Sequence, residues 1–181
     1  MSDMTTAATP RPCSIADALA VVGEKYSLLV LREVFFGVHR FDGIARNIRA
    51  PRDILTTWLR RLVDAGVLEK VQYNDRPPRY EYRPTPAGEE LRPVVLMLLR
   101  WGDRRLNDVP PTVFEHSCGA TLDPAVVCRA CGTEVESRSL TPRFTTPGWT
   151  VPGRIDPRAG PGRTGVEPVC TTSRRHCSYR C

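Results

Sequence analysis

Residues 40–66 read RFDGIARNIRAPRDILTTWLRRLVDAG, and two helical patterns lie in them, Arg40 to Ile48 and Ala50 to Gly66, separated by a tight break. In the second pattern Leu55, Trp58, Leu59 and Leu62 recur at i, i+3, i+4 and i+7, so they share one face and are expected to point inward. Pro51 suits a first helical turn and Gly66 suits a C-terminal cap. The opposite face then carries Arg52, Asp53, Thr56, Thr57 and Arg60, with Arg61 at its edge. From Arg40 to Arg61 there are six arginines against Asp42 and Asp53, a local charge of +4 within 22 residues.

Downstream of Gly66 the hydrophobic period changes. Val67 to Tyr73 and Tyr80 to Arg83 are predicted strands, joined by a turn-rich tip, Asn74 to Arg79, that carries Arg76 and Arg79. Thr85 can cap a following helix with Pro86 at its first position, and Pro93 breaks or restarts that helix before Val94 to Leu106. Val94, Leu98, Trp101 and Arg105 share a stripe, and Val95, Leu96, Met97 and Leu99 widen it. That is more apolar surface than a small domain covers by itself, so a second subunit is one reading and burial within the same domain the other.

Upstream, Ser14 caps a first helix carrying Ile15, Ala18, Leu19 and Val22, which Gly23 ends. A second helix, capped by Ser27, is expected over Leu28 to Phe36, apolar on nearly every face and stopped by Gly37. Residues 1–12 read as a flexible arm.

The order helix, helix, helix-turn-helix, basic hairpin, helix predicts a mainly α fold with a small β-hairpin wing (α+β), a winged helix-turn-helix. A helix fits the major groove of B-DNA, where arginine reads guanine and threonine touches base edges or thymine methyls. Arg52, Thr56 and Arg60 stand at i, i+4 and i+8 on the outward face, with Asp53, Thr57 and Arg61 beside them. Arg40, Arg76 and Arg79 supply the flanking phosphate or minor-groove contacts. The competing reading is a solvated helix face on a fold reused for protein contacts.

The 181 residues suffice for one main domain and an appendage. The net charge is +6, from 26 basic residues, 24 of them arginine, against 20 acidic ones, which makes an anionic partner plausible without requiring one. The longest apolar run, Val94 to Leu99, is far short of the roughly 18 to 20 residues that span a bilayer. MSDMTTAATPRP at residues 1–12 has no apolar signal-peptide core, so a reducing cytoplasm is expected. No Ser/His/Asp order, phosphate loop or nucleotide fingerprint occurs, and His39, His116 and His176 lack carboxylate partners. The reading is not an enzyme, with no cofactor required.

The succession of motifs resembles the HxlR-type transcriptional regulators, a winged-helix branch close to the MarR type. It runs from the Cys13-Ser14-Ile15 start through GEKYS (Gly23 to Ser27), LRE (Leu31 to Glu33), RFDGI (Arg40 to Ile44) and APRDILT (Ala50 to Thr56). It continues with LRRLVDAGVLE (Leu59 to Glu69), RPPRYEY (Arg76 to Tyr82), TPAG (Thr85 to Gly88) and LRWGDRRL (Leu99 to Leu106). The resemblance spans about residues 13–106, within a domain placed at 13–107. It implies a homodimeric DNA-binding regulator, more often a repressor, whose first and last helices pair through Ile15, Leu19, Val94, Leu98 and Trp101. It also implies a palindromic operator with half-sites roughly 34 to 36 Å apart. Trp58 stands where the family usually has arginine, and Tyr26 where it usually has tryptophan.

The cysteines add a second theme. Cys13 opens the first helix, where a helix N-terminus lowers a thiol pKa, and the resemblance includes members that sense oxidants there; the alternative is a small packing residue. In residues 108–140, His116 and Cys118 precede Cys128 and Cys131. One nitrogen and three sulfurs are the ligand set of a zinc knuckle or ribbon, and the alternative is an ordered hairpin with reduced thiols. A thiol- or metal-responsive sensor with DNA binding as its output is therefore the alternative function, its effector unassigned. Residues 141–181, rich in proline and glycine, are expected to be disordered, and Cys170, Cys177 and Cys181 receive no role.

Overall fold

The computed structural model of the protein describes residues 11–151, 153 and 154. Residues 12–141 contain six α-helices and a hairpin. They are α1 (Ser14–Val22), α2 (Lys25–Phe35), α3 (Phe41–Ile48), α4 (Arg52–Asp64), β1 (Leu68–Asp75), β2 (Pro78–Pro84), α5 (Pro86–Glu89) and α6 (Arg92–Leu106). This is the winged helix-turn-helix expected from the sequence.

The periodicity of α4 translates directly into packing. Leu55, Leu59 and Leu62 are fully buried and meet Val30, Leu31 and Val34 of α2, Ile44 of α3, and Val67 and Leu68 at the start of the wing. Trp58, at the margin of that face, is only half-buried, and the Arg61 guanidinium lies over its ring, 4.5 Å from the centroid. Pro51 is the N-cap rather than a first-turn residue. At the far end Gly66 takes φ 69°, a left-handed conformation that glycine adopts without steric cost. It lets Val67 N donate back to Leu62 O at 2.9 Å.

α2 starts three residues earlier than Ser27 predicted, with Glu24 at the N-cap. Ser27 lies inside the helix, fully buried, and its Oγ has no hydrogen-bond partner among the described residues. Gly23 already stops α1, its N–H donating to Leu19 O, so the chain turns at once and a hydroxyl cap becomes unnecessary. α2 also carries a buried carboxylate. Glu33, 4% exposed, accepts from Asn47 Nδ2 of α3 at 2.7 Å and pairs with Arg32 at 2.6 Å. A buried charge needs such partners to stay ionised without large cost.

The wing is longer and its tip tighter than expected. β1 and β2 pair antiparallel from Leu68↔Pro84 to Asp75↔Pro78, with a shift in register between Gln72 and Asn74. Only Arg76 and Pro77 remain as the turn. Polar side chains of the supposed loop hold it closed: Asn74 Nδ2 donates to Pro77 O and Gln72 Nε2 to Asp75 Oδ1, both at 2.9 Å. On the other edge of β2, Tyr82 N donates to His39 O at 2.8 Å and Arg40 bridges Glu81. The wing is thereby stitched to the segment leading into α3. Thr85 caps α5, accepting from Gly88 N at 3.1 Å, while its own hydroxyl donates to Gly66 O. Pro93 falls in the first turn of α6, so the helix restarts there.

α1 and α6 keep most of their apolar surface outside the core. Of α1 only Val22 is buried, and α6 has no buried residue. Ile15 is 70% and Trp101 58% exposed, and Leu19, Val94 and Leu98 are exposed as well.

Residues 107–140 form two tight turns followed by a single 3-10 turn, Ser137–Ser139. In the first, His116 N donates to Ala120 O, and in the second Cys128 N donates to Thr133 O. The glycines that follow the last cysteine of each turn, Gly119 and Gly132, take φ 84° and 73°. The segment is tied to the domain by an edge-on contact of Phe114 with Phe36 and by Arg100–Asp123 at 2.6 Å.

A second unit contains Arg11 and, among the described residues, 142–151, 153 and 154. Disorder was expected from residue 141 onward, yet β3 (Trp149–Thr150) pairs antiparallel with β4 (Gly153–Arg154). An arginine from the expected arm supplies the missing anchor. Arg11 donates to the carbonyls of Thr150 and Val151 and stands over the rings of Phe144 and Trp149. The expectations for residues 1–10 and 155–181, Cys170, Cys177 and Cys181 included, lie outside the described residues. Among the described residues no helix is long and apolar enough to cross a membrane.

Candidate nucleic-acid interface

α3 and α4 meet through a left-handed turn residue, Arg49 at φ 51°, and this places the outward face of α4 beside the start of α3. At that junction Arg52 Nη1 lies 3.0 Å from Asp42 Oδ1, and its guanidinium rests over Phe41, 4.7 Å from the ring centroid. Both partners of the ion pair are mostly exposed. One turn on, Thr56 Oγ1 donates to Arg52 O at 2.7 Å and Thr57 Oγ1 to Asp53 O at 3.0 Å. Asp53 sits in the first turn of α4, where a carboxylate offsets the unpaired N–H groups of a helix N-terminus. Arg60 and Arg61 are exposed farther along the helix.

Between the start of α3 and the wing runs an open groove of about 1030 Å³. Its cations come from three elements: Arg40 before α3, Arg46 on α3, and Lys70 and Arg79 on the two strands. Two of them stand over tyrosine rings, Arg40 over Tyr73 at 4.6 Å and Lys70 over Tyr80 at 4.1 Å. An ammonium or guanidinium held over a ring is oriented without being neutralised. Asp42 also lines the groove, so the Arg52 ion pair stands at its margin.

The arginines expected from the sequence thus divide. Arg40 and Arg79 line the groove, Arg52 leads α4, and Arg76 caps the wing. Arg46, Lys70, Tyr73 and Tyr80 belong to the same groove and were not singled out. Arg46 stood in the basic window, and it recurs four residues after Asp42, one helical turn along α3. The tyrosines carried a weaker signal, since strand aromatics are commonly core residues.

The four proposed zinc ligands do not come together. Among the described residues no group of three or more His, Cys, Asp or Glu side chains is placed to hold a metal ion. His116 Nδ1 instead contacts Cys118 Sγ at 3.2 Å and accepts from Cys118 N at 3.4 Å, closing the first turn on itself. Cys128 and Cys131 are exposed free thiols on the second. Hydrogen bonds from the Thr133 side chain and backbone, then from Cys128, hold the Cys131 thiol below its ordinary pKa. This donor set therefore does not fit a four-ligand zinc site as arranged. Cys13 is exposed at the N-cap of α1, its carbonyl accepting from Asp17 N at 3.1 Å.

Residues 21–110 match the HxlR-like helix-turn-helix family. The HTH-type transcriptional regulator Rv3095 of Mycobacterium tuberculosis is 43% identical over 132 residues, 71% of this chain and 84% of the relative. The chain belongs to the HxlR-like helix-turn-helix family. Among solved structures, PA1607, put forward as a transcription factor, is 26% identical to this HxlR-like chain at a TM-score of 0.66. The likeness covers 74% of this chain and 95% of PA1607. The redox regulator HypR in its oxidised form is 29% identical at a TM-score of 0.50, covering 52% of this chain and 99% of HypR.

Proposed function

We propose that this HxlR-like protein is a homodimeric regulator that reads a palindromic duplex operator with α4, grips the flanking backbone with the wing groove, and represses transcription. The observation that carries this reading is the cationic groove between α3 and the wing, placed alongside the exposed leading turn of α4. Phosphate contacts supply affinity and the reading helix supplies sequence preference. Pairing rests on the exposed stripe of Val94, Leu98 and Trp101 together with Ile15 and Leu19 of α1. Repression rests on the family resemblance. The protein works where its DNA lies, in the cytoplasm, with no catalytic step and no required cofactor.

The test is affinity for the intergenic DNA beside its own gene against a scrambled duplex, across a salt series. A preference of roughly a thousandfold near physiological salt is expected for specific reading. Equal, salt-sensitive binding to every duplex tried would overturn it in favour of a basic surface without readout. Transcription from a reporter carrying the bound site then decides repression against activation.

A second reading, thiol-responsive DNA binding, is favoured by the exposed Cys13 next to the apolar face of α1 and by the likeness to HypR. Alkylation of Cys13 no faster than that of an unstructured peptide thiol would remove it.

A further inference from the structure

We propose that α4 selects thymine-rich half-sites through methyl contacts, with Thr56, Thr57 and Ile54 as its specificity-determining residues and no arginine–guanine pair at its leading turn. This rests on the reading of α4 as the helix that enters the major groove and deepens it by naming the base edges it takes.

The argument begins with hydroxyl hydrogens. Each threonine has one, and in both it is committed to the carbonyl four residues back, 2.7 Å for Thr56 and 3.0 Å for Thr57. What remains on each oxygen is an acceptor. With Oγ1 turned back onto the helix, the γ-methyl occupies one of the other staggered positions on Cβ, away from that carbonyl. Ile54, also exposed, adds a branched aliphatic side chain in the same opening turns.

The charged donor that would favour guanine is engaged elsewhere. At the leading turn Arg52 is held at once by Asp42 and by the face of Phe41, both belonging to α3, while Arg60 and Arg61 lie exposed two turns farther along. The opening two turns of α4, ahead of Arg60, therefore present methyl groups and acceptor oxygens, the Asp53 carboxylate among them.

Base edges in the major groove differ in how they meet such a surface. Guanine offers two acceptors, N7 and O6, which would face the threonine oxygens without a proton between them. Thymine presents its C5 methyl, and adenine its N6 donor, so an A·T pair matches both features. Cytosine supplies a donor but no methyl.

The experiment begins with selection of duplexes from a random-sequence pool by the full-length chain. The winning duplex is then remade with deoxyuridine for thymidine in each half-site, removing the C5 methyls and nothing else. Thymine-rich half-sites are expected, with affinity falling about fourfold for each contacted methyl, the factor that corresponds to burial of one such group. T56S and T57S keep the hydroxyl and lose the methyl. They are expected to bind the thymidine duplex more weakly and to distinguish it less from the deoxyuridine one. Wild-type protein that binds both duplexes alike, or selected half-sites led by G·C pairs, overturns the proposal while leaving specific DNA reading in place. A pool that yields no preferred sequence overturns the underlying reading along with it.

Discussion

Arg52 Nη1 and Asp42 Oδ1 meet at 3.0 Å across the two helices of the motif, so the first arginine of α4 is held by a carboxylate of its neighbour. Such an exposed pair contributes only about 0 to 1 kcal/mol to stability. Its larger effect is on charge available to DNA, because Asp42 competes with phosphate for the guanidinium. Asp42→Asn is expected to leave the melting temperature within about 5 °C of wild type. It should tighten duplex binding and steepen the slope of log affinity against log salt by about one unit. Unchanged affinity and slope would show that Asp42 does not restrain Arg52.

Leu98 tests the apolar stripe of α6. It is half exposed, beside the exposed Val94 and Trp101, so Leu98→Glu empties no position of the core. Sedimentation should show wild type as a dimer and the variant as a monomer at the same concentration. A variant that remains dimeric would place the interface on another surface.

The Glu33–Asn47 bond sets how α3 leans on α2. Asn47→Ala takes away the donor to Glu33 Oε2, and loss of a hydrogen bond to a buried charge costs about 1 to 3 kcal/mol. Urea unfolding should give that decrease with an unaltered slope against denaturant. A loss below about 0.5 kcal/mol would mean that water replaces the amide without penalty.

Gly66 joins α4 to the wing at φ 69°. Ala at this position must hold a left-handed backbone, a strain of about 1 to 2 kcal/mol. Gly66→Ala should lower stability by that amount. No change in the unfolding midpoint would indicate that the turn relaxes into another conformation.

Arg100 holds the Asp123 carboxyl below its ordinary value, chiefly through their hydrogen bond and then by charge. A depressed carboxyl pKa stabilises the folded form above the unfolded-state value, and that contribution is lost as pH falls through the folded one. Attachment of residues 107–140 to α6 should therefore loosen as pH falls below about 3.8. Amide exchange in that segment, measured against pH in wild type and Asp123→Asn, should show the pH step in wild type alone. The same step in both would assign the transition to other groups.

Where the sequence revealed structure, it did so through local repetition. The spacing of Leu55, Leu59 and Leu62 identifies the buried face of α4 because every contact lies one turn from the next. Thr85, Pro86 and Gly66 mark element ends through backbone chemistry within a few residues. The candidate site depends on relations that no local window contains. Asp42 meets Arg52 ten residues away, and His39 meets Tyr82 across the wing. Arg40 and Lys70 lie over rings from other parts of the hairpin or the opposite strand. The wing tip was misjudged for a related reason. Asn, Asp and Pro are turn formers in isolation, yet here the side chains of Asn74 and Asp75, with Gln72, hold a pairing that extends to Asp75 and Pro78. In the cysteine segment ligand spacing was visible, but spacing says nothing about whether two turns face one another.

Of the nine residues of α1 only Val22 is buried, and a nine-residue helix has little stability without tertiary support. If a second copy covers its apolar face, association completes the hydrophobic interior and folding becomes a function of protomer abundance. Operator occupancy then responds more steeply than in simple one-to-one binding while protomers are scarce, approaching a second-power dependence on their concentration. Scarce protein would also be the least protected from proteolysis, giving the regulator a threshold dose that originates in one poorly covered helix.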